Sequence, residues 1–461
     1  MSMYQRVAVP RKRLEKSRSM QRGFSLIELM VGMTIGFIAL IVIVQTMSVF
    51  ETHKTTTTAA ADAQENGLLA LSAIERDIRR AGAGFNDPMA MKCQVFYSYL
   101  QTRSGQGMPA PVGAAAPFPV IVEDGAINDR ITVKVAFYLE GVVPTPLAEN
   151  MAIIPLTPPI LLPAPPVPAE YLQFVVNRGF EMRGEPRPNT DDPPADLIMV
   201  VNKEAVADIP AGNNLIRCSL MQVSAVAVDA KGRSVITVQN GPAGKEPEFN
   251  APHNFMAAND WPGFGRRAAP LPSYVVGDLL FRLGSTALGG VMQTTYEING
   301  DSGLQAVVSG GRAAVATEIL ASDVVALQAQ YGLSATPQSR EITQWVNPSG
   351  PTWGSAALNP QGVNNVPSAV IDNRMRIKAV RIAVVARSGK REGNVVTTPC
   401  AENNVPAASN HGPCSWTDDS AASPAPAIDL RAAPGDTEWQ HYRYRVYQTV
   451  IPMRNLLWPS L

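Results

Sequence analysis

The longest hydrophobic pattern in the chain is an apolar run over residues 29–50, LMVGMTIGFIALIVIVQTMSVF, which contains no charged side chain. As a helix with a rise of about 1.5 Å per residue, this run would span roughly 33 Å, enough to cross the hydrocarbon core of a bilayer. Residues 1–23, which precede it, include seven basic side chains and one acidic side chain, Glu15. Because basic flanks stay in the cytoplasm, we predict a single pass through the membrane, with the residues after Phe50 on its far side.

A second apolar pattern continues beyond the membrane run. Small and apolar residues recur there at three- and four-residue steps: Ala60, Ala63, Gly67, Leu71, Ile74, Ile78 and Ala81. This spacing predicts one face of an amphipathic helix, which Gly82 and Gly84 would end. We therefore predict one long helix within residues 24–84. The alternative is two helices with a break at residues 55–58, where four threonines weaken helix propensity.

From residue 85 onward the pattern changes to short alternating runs separated by turn-forming residues. Strands are predicted at residues 131–138, 196–202 and 234–239, and Asn299-Gly300 predicts a β-hairpin with a type I′ turn. Proline- or glycine-rich stretches predict loop insertions at about residues 144–168, 336–367 and 399–430. The expected fold class is α+β, with the long helix packed on a large, mostly antiparallel β-sheet head over residues 85–461.

The start of the apolar run carries a motif, GFSLIELMVGMTIG, in which Glu28 stands at the edge of the hydrophobic residues. A secretory signal peptide would have a shorter apolar region and a small-residue cleavage site after it. A plain membrane anchor would not explain a carboxylate at this position, where ionisable groups are costly and usually paired. The motif resembles the class III leader of type IV pilins and type II secretion pseudopilins.

That resemblance implies how the N-terminus is processed and used. A prepilin peptidase would remove residues 1–23 by cutting after Gly23, and the new N-terminal residue, Phe24, would be N-methylated. Glu28 would be needed for assembly, because its carboxylate can pair with the amino group of Phe24 in a neighbouring subunit. A head-to-tail contact of this kind is heterologous and propagates into a helical filament. Gln45 departs from many major pilins, which carry a proline at that position.

A second resemblance lies in the C-terminal part of the chain. Residues 323–332 (DVVALQAQYG), 380–388 (VRIAVVARS) and 442–455 (YRYRVYQTVIPMRN) are similar, in this order, to recurring blocks of the PilW family of minor pilins. Taken alone, each block alternates like an ordinary half-buried strand. Leu327, Ala329 and Tyr331 would share one face, and Gln328 and Gln330 the other. The proline-rich stretch and the region around Cys400 and Cys414 are not covered by this resemblance.

Length, charge and cysteines limit the remaining possibilities. Cleavage after Gly23 would leave 438 of the 461 residues, and removing seven basic and one acidic residues from 39 of each leaves 32 basic and 38 acidic. This mildly acidic balance argues against nucleic acid as a partner. Four cysteines allow three pairings. Cys400 and Cys414 lie in one turn-rich loop, so we predict a local disulfide there, and Cys93 with Cys218 by elimination.

No catalytic signature is present. The chain lacks a G-x-S-x-G elbow, a P-loop, a G-x-G-x-x-G fingerprint and an H-E-x-x-H motif, so neither an enzyme nor a bound cofactor is expected. The acidic pairs Asp191-Asp192 and Asp418-Asp419 lack the alternating spacing of a calcium loop and are interpreted as solvated loop charge, so no metal site is predicted.

The resemblances imply a minor pilin that helps to initiate and assemble type IV pili. The expected partners are other minor pilins, the major pilin, prepilin peptidase and the pilus assembly platform, with a PilY-type tip adhesin as a further candidate. The protein would reside in the inner membrane and then in the pilus at the cell surface. Two alternatives stay open: a pseudopilin of the GspJ type in a type II secretion system, and a membrane-anchored periplasmic binding protein that enters no filament.

Overall fold

The structure is a computed structural model. It describes residues 25–84, 88–97, 118–125, 127–136, 144–155, 170–177, 196–204, 206–207, 214–239, 274–285, 291–310, 313–360, 366–406, 408–417 and 419–457. The chain divides into two compact units, residues 1–58 and residues 59–461. The first unit contains the start of the long helix, and the second contains the rest of that helix and the head.

Helix α1 (Leu26–Arg80) is continuous, so the alternative of two helices broken at residues 55–58 is wrong. Two of the threonines there are accommodated by bonds to their own helix. Thr55 Oγ1 donates to Glu51 O and Thr57 Oγ1 donates to His53 O, each at 2.9 Å. Such bonds to the carbonyl one turn earlier satisfy the hydroxyl groups without interrupting the helix.

The second half of α1 buries the predicted face. Ala63, Ala70, Ile74, Ile78 and Ala81 are buried, and Leu71 is half-buried. Tyr296 OH donates to Asp77 Oδ2 at 2.6 Å, which ties the helix to a strand of the head. Two residues after the last residue of α1, Gly82 adopts a φ of 78°, which favours glycine and terminates the helix. Gly82 N donates to Lys134 O at 2.8 Å, which joins this turn to the head. The head therefore holds this half of α1 by apolar burial, by a buried hydroxyl and by a capped C-terminus.

At Gly67, α1 packs directly against the ring of Tyr447. A Cβ built on Gly67 would clash with Cε2 and Cδ2 of that ring. In an exposed helix, glycine-to-alanine substitution is stabilising by about 1 kcal/mol. Here the missing side chain is what leaves room for the Tyr447 ring.

We expect Gly67→Ala to destabilise the head, because the new methyl group overpacks this contact and overpacking costs about 1–3 kcal/mol. In a Tyr447→Ala background the obstacle is gone, so the same substitution is expected to raise the free energy of unfolding. Denaturant unfolding of the full chain in detergent measures both effects. A Gly67→Ala protein that is more stable than the wild type would contradict the observed contact.

In the described part of the head the strands form five sheets, and every strand pairing there except that of β1 with β10 is antiparallel. The first sheet consists, in spatial order, of β1 (Val95–Tyr97), β10 (Arg217–Gln222), β7 (Asp196–Val201), β13 (Leu279–Ser285) and β4 (Thr145–Pro146), with β1 parallel to β10. The second consists of β16 (Ala313–Ser322), β15 (Gly303–Gly310), β14 (Val291–Ile298), β3 (Arg130–Ala136) and β2 (Val120–Glu123). This composition confirms the α+β class with a mostly antiparallel head.

The third sheet consists of β11 (Ala225–Val228), β12 (Ser234–Gln239), β6 (Glu170–Val176) and β5 (Ala152–Pro155). The fourth, here called the C-terminal sheet, consists of β18 (Ile342–Val346), β17 (Val324–Ser334), β19 (Ile377–Arg387) and β20 (Tyr444–Pro452). The fifth is a short pair, β8 (Val206–Ala207) and β9 (Asn214–Leu215). Short helices are α2 (Pro88–Met91), α3 (Gly350–Trp353), α4 (Ser355–Leu358), α5 (Ser368–Arg376) and α6 (Arg454–Leu457), with a 3₁₀ turn at Glu438–His441.

The first sheet separates two hydrophobic cores. Along β7, Leu197, Met199 and Val201 face the main core, while Ile198 and Val200 face a second core. The third sheet covers the second core with residues from β6 and β12. Strands β4–β13 all lie between β3 and β14, which pair directly with each other. Residues 137–290 are therefore an insertion between two neighbouring strands, and we call them the inserted lobe.

The hairpin predicted at Asn299-Gly300 is present as β14–β15, but its turn type was predicted wrongly. The connection has four residues, and the positive φ of 58° lies at Ser302 and not at Gly300. Asn299 Oδ1 accepts bonds from Asp301 N at 3.1 Å and from Gly303 N at 2.8 Å. The asparagine side chain thus builds an Asx turn, which needs no left-handed glycine.

Two of the stretches predicted as loop insertions contain regular structure. Pro146 and Pro155 lie in β4 and β5, each at the edge of its sheet, where a missing N–H is tolerated. Leu147 is buried beside them, and residues 156–168 lie outside the described residues. Residues 336–367 contain β18, α3 and α4, and Leu358 is fully buried. The described part of residues 399–430 has only isolated β-bridges. The proline-rich stretch at residues 144–168 was therefore wrongly predicted as a loop throughout, because proline is also tolerated in edge strands such as β4 and β5.

Candidate functional site

Glu28 lies in the first turn of α1 and its side chain is exposed. Ser25 N donates to Glu28 Oε2 at 3.0 Å, and Ile27 N donates to Ser25 Oγ at 3.3 Å. The sequence Ser-x-x-Glu is the signature of a capping box, a signal within the leader motif that was not part of the sequence prediction. The box satisfies amide groups at the helix start and holds the carboxylate there.

The capping bond leaves Glu28 able to bind a cation. Among the described residues, no arginine, lysine or histidine forms an ion pair with it. A carboxylate at a helix N-terminus is already favoured by the helix dipole. Gly23 and Phe24, the predicted cleavage and methylation sites, lie outside the described residues. Their roles and that of Glu28 stay predictions.

The apolar run of α1 is exposed throughout residues 29–50. Within the described chain, α1 is the one helix long and apolar enough to cross a membrane. This N-terminal apolar helix fits a transmembrane anchor. A helix at the surface of a soluble protein is apolar on one face only, whereas this segment is apolar all around its axis.

The four cysteines pair as Cys93–Cys218 and Cys400–Cys414, with Cα atoms 5.8 and 4.8 Å apart. These are the pairs predicted from the sequence. The first bridge joins Cys93, two residues before β1 begins, to the first half of β10, and both cysteines are fully buried. It therefore fastens the inserted lobe to the segment that follows α1. The second bridge closes a local loop of sequence separation 14.

The three C-terminal sequence blocks form adjacent strands of one sheet. β17 pairs with β19, and β19 pairs with β20. The register aligns Tyr331 with Val380 and Val380 with Ile451, and all three are fully buried. The last block continues to Asn455, whose Nδ2 donates to Ala81 O at 2.6 Å at the end of α1. The blocks thus form the part of the head on which the long helix ends.

Contrary to the half-buried strand predicted from alternation, β17 is buried on both faces. Leu327, Ala329 and Tyr331 face the main core as expected, but Gln328 and Gln330 are buried as well. Gln328 Nε2 donates to Ile127 O at 2.7 Å, so a neighbouring loop covers the polar face. Alternation cannot show that a distant loop satisfies a glutamine.

Gln330 belongs to a buried polar cluster around Arg381. Arg381 Nε donates to Gln330 Oε1 at 2.6 Å, and Arg381 Nη2 donates to Pro424 O at 3.1 Å. The guanidinium group lies 5.0 Å from the ring centroid of Trp345 and 5.1 Å from that of Trp416. A buried guanidinium needs such hydrogen bonds and ring contacts to offset its desolvation. The cluster holds residues 416–424 against the C-terminal sheet.

Asp129 supports the other edge of β17. Its Oδ2 accepts a bond from Ala329 N at 2.6 Å, and its pKa is raised to about 7, mainly by burial. Nearby, Tyr331 OH accepts a bond from Val122 N at 2.7 Å, and burial raises the pKa of that hydroxyl. Asp129 thus replaces a strand partner that β18 supplies to β17 only at residues 331–334. The Tyr331 hydroxyl instead satisfies a backbone amide of β2.

The described residues offer no cluster of three or more His, Cys, Asp or Glu side chains that could hold a metal ion. Asp419 Oδ2 accepts bonds from Asn404 N at 2.9 Å and Ala425 N at 2.7 Å. Burial raises the pKa of Asp419, but these bonds and the charge of Arg381 outweigh it and leave the pKa below its usual value. The carboxylate therefore fastens its own loop. Asp191, Asp192 and Asp418 lie outside the described residues.

Comparison with known families gives two matches. Residues 292–455 match the family described as Type IV Pilus-assembly protein W, and residues 18–44 match the Prokaryotic N-terminal methylation motif. No curated protein and no solved structure matches the chain. The first match begins in β14 and ends in α6, so it contains the whole C-terminal sheet and excludes the inserted lobe. The second contains the predicted cleavage site and Glu28.

Proposed function

From the premise that this chain is a PilW-family type IV minor pilin with a class III leader, we propose that it acts in the initiation of pilus assembly. In this role it joins other minor pilins in a complex that primes the filament and then stays at its tip. The observation that carries the proposal is the combination, in one chain, of the N-terminal methylation motif and a PilW-type region whose last residue, Asn455, bonds to the end of the same helix.

The proposed docking step uses the N-terminal turn of α1. After cleavage behind Gly23, Phe24 would carry a free amino group, and Glu28 presents a carboxylate that no described cation neutralises. Pairing the amino group of one subunit with the Glu28 carboxylate of the next would compensate both charges within a bundle of apolar helices. Because the contact is heterologous, each added subunit offers the same acceptor to its successor.

The size of the head supports a position at the filament end. The mature chain of 438 residues is two to three times as long as a typical major pilin, and its inserted lobe lies outside the family match. A repeating subunit has neighbours above and below its head, whereas a subunit at the tip has no neighbour above it and so has space there for additional structure. In this position the head is exposed first to the periplasm and later at the cell surface.

The proposed partners follow from this position. They are the other minor pilins and the major pilin below the tip, prepilin peptidase and the assembly platform in the inner membrane, and a PilY-type adhesin above the head. The proposed task is structural, without a chemical reaction. The second candidate, a GspJ-type pseudopilin, shares the methylation motif but would serve a type II secretion system.

A deletion strain separates the two candidates. The strain would also lack pilus retraction, so that even weakly initiated pili are counted. We expect loss of surface pili and unchanged export of a type II secretion substrate. Complementation with the wild-type chain should restore the pili. Loss of secretion with normal piliation would favour the pseudopilin, and no change in either would favour a membrane-anchored periplasmic protein.

A further inference from the structure

Gln45 is a polar side chain in the membrane run whose hydrogen bonds are not supplied by its own helix. Two nearby hydroxyl groups are satisfied locally, since Thr34 Oγ1 donates to Val31 O at 2.9 Å and Thr46 Oγ1 donates to Val42 O at 2.8 Å. Among the described residues, the Gln45 amide has no hydrogen-bond partner, and its side chain is exposed. The polar atoms of Gln45 therefore depend on something outside this chain.

The position of Gln45 within the membrane-spanning run makes water a poor hydrogen-bond partner for its amide. It lies 16 residues after Leu29, which corresponds to roughly 24 Å along a helix whose apolar run covers about 33 Å. Hydrocarbon chains offer neither donors nor acceptors, so an amide at this depth is satisfied by another protein group. An amide donates and accepts at once, which makes a polar side chain on a neighbouring helix a suitable partner.

Gln45 lies on a defined face of α1. Thr34, Ile38, Ile41, Gln45 and Ser48 follow each other at alternating four- and three-residue steps, the spacing of a helix–helix seam. Gly36 precedes Gln45 by nine residues, and at about 100° per residue it lies on the opposite side. The Gln45 face is thus distinct from the Gly32–Gly36 face, where small residues would allow close backbone approach.

We propose that Gln45 forms an interhelical hydrogen bond with a polar side chain in the membrane helix of a neighbouring pilin. The inference rests on the proposed function, because it takes the neighbour to be a pilin. Pairing of Glu28 with the neighbour's N-terminal amino group would offset the two helices by four residues, about 6 Å. The partner side chain is therefore expected about one helical turn away from the position equivalent to Gln45. Gln45 would select and align neighbours in the membrane before the filament forms.

The test measures how much of each neighbouring minor pilin, co-expressed with an epitope tag, co-purifies with the full chain from membranes in mild detergent. We expect Gln45→Leu to lower this recovery about 3- to 10-fold, the effect of losing one interhelical hydrogen bond. Gln45→Asn, which keeps an amide, should restore part of it. Thr46→Val is the matched control, because its hydroxyl is satisfied within α1, and it should leave recovery unchanged.

Glu28→Ala in the same experiment distinguishes a failure of the Gln45 proposal from a failure of the proposed function. Full recovery with Gln45→Leu but loss with Glu28→Ala would overturn the role of Gln45 and keep the proposed function. Equal loss with Gln45→Leu and Thr46→Val would also overturn it, because the effect would then follow from any change in this part of the helix. Failure of the wild-type chain to recover any minor pilin would contradict the proposed function itself.

Discussion

Glu28→Ala is expected to abolish the entry of this chain into pili while leaving its cleavage, membrane insertion and folding intact. The carboxylate is exposed and contacts only the first turn of α1, so the head does not depend on it. In an assembled bundle its loss would leave the ammonium group of a neighbouring Phe24 without a counter-charge. Removing one partner of a buried pair costs about 3–5 kcal/mol, which corresponds to roughly 10²- to 10³-fold weaker docking.

Because a priming complex needs only a few copies, the expected phenotype is loss of pilus initiation and not a change in the thickness of pili. The measurement is the number of surface pili per cell, normalised to the membrane level of the variant. Glu28→Gln is the matched control, because an amide oxygen can still accept the bond from Ser25 N but carries no charge. It should fail as Glu28→Ala does. Normal piliation by a stable Glu28→Ala protein would show that docking does not use this carboxylate.

Removal of the Cys93–Cys218 disulfide is expected to produce the largest loss of stability in the head. The bridge spans 125 residues and connects the segment after α1 with the second strand of the first sheet. In the chain-entropy model, closing a loop of that size stabilises by about 5 kcal/mol, and removal of native disulfides costs about 2–5 kcal/mol. Both sulfur atoms lie in the main core, so serine substitution would also bury two hydroxyl groups.

The effect should concentrate on the inserted lobe. Residues 137–290 are attached to the rest of the head by two chain crossings, by the pairing of β10 with β1, by side chains such as those of β7 that pack in the main core, and by this bridge. We expect Cys93→Ala with Cys218→Ala to lower the midpoint of thermal unfolding and to expose the lobe to limited proteolysis. The Cys400→Ala and Cys414→Ala pair is the matched control, because its loop of separation 14 is worth about 3 kcal/mol in the same model. Equal loss of stability for both pairs would contradict the special role of the long bridge.

The long helix could be predicted from the sequence because its signals are local. Periodic spacing from Ala60 to Ala81 marks the buried face, and Gly82 marks the end. The hairpin after β14 was also predictable, but its turn type was not. Asn299 uses its side chain to close the turn, and a dipeptide pattern cannot distinguish that from a type I′ turn.

The arrangement of the head depended on contacts between distant residues. Nothing in the alternation of Val324–Ser334 indicates that Gln330 meets Arg381, or that Trp345 and Trp416 enclose the guanidinium group. The inserted lobe was likewise hidden, because β3 and β14 pair across about 150 intervening residues. Family resemblance identified the three C-terminal blocks, and only the structure shows that they form adjacent strands and that Asn455, which follows the last strand, bonds to the end of α1.

If this chain is processed as a prepilin and assembled into a type IV pilus, its N-terminal peptide in purified pili begins at Phe24. Pili sheared from the cell surface would be digested, and peptides of this chain would be measured by targeted mass spectrometry. We expect a peptide that begins with N-methylated Phe24, and we expect Gly23→Leu to remove the chain from the pilus fraction. A chain that is absent from pili, keeps residues 1–23 or is cut after residue 50 would refute this processing and assembly.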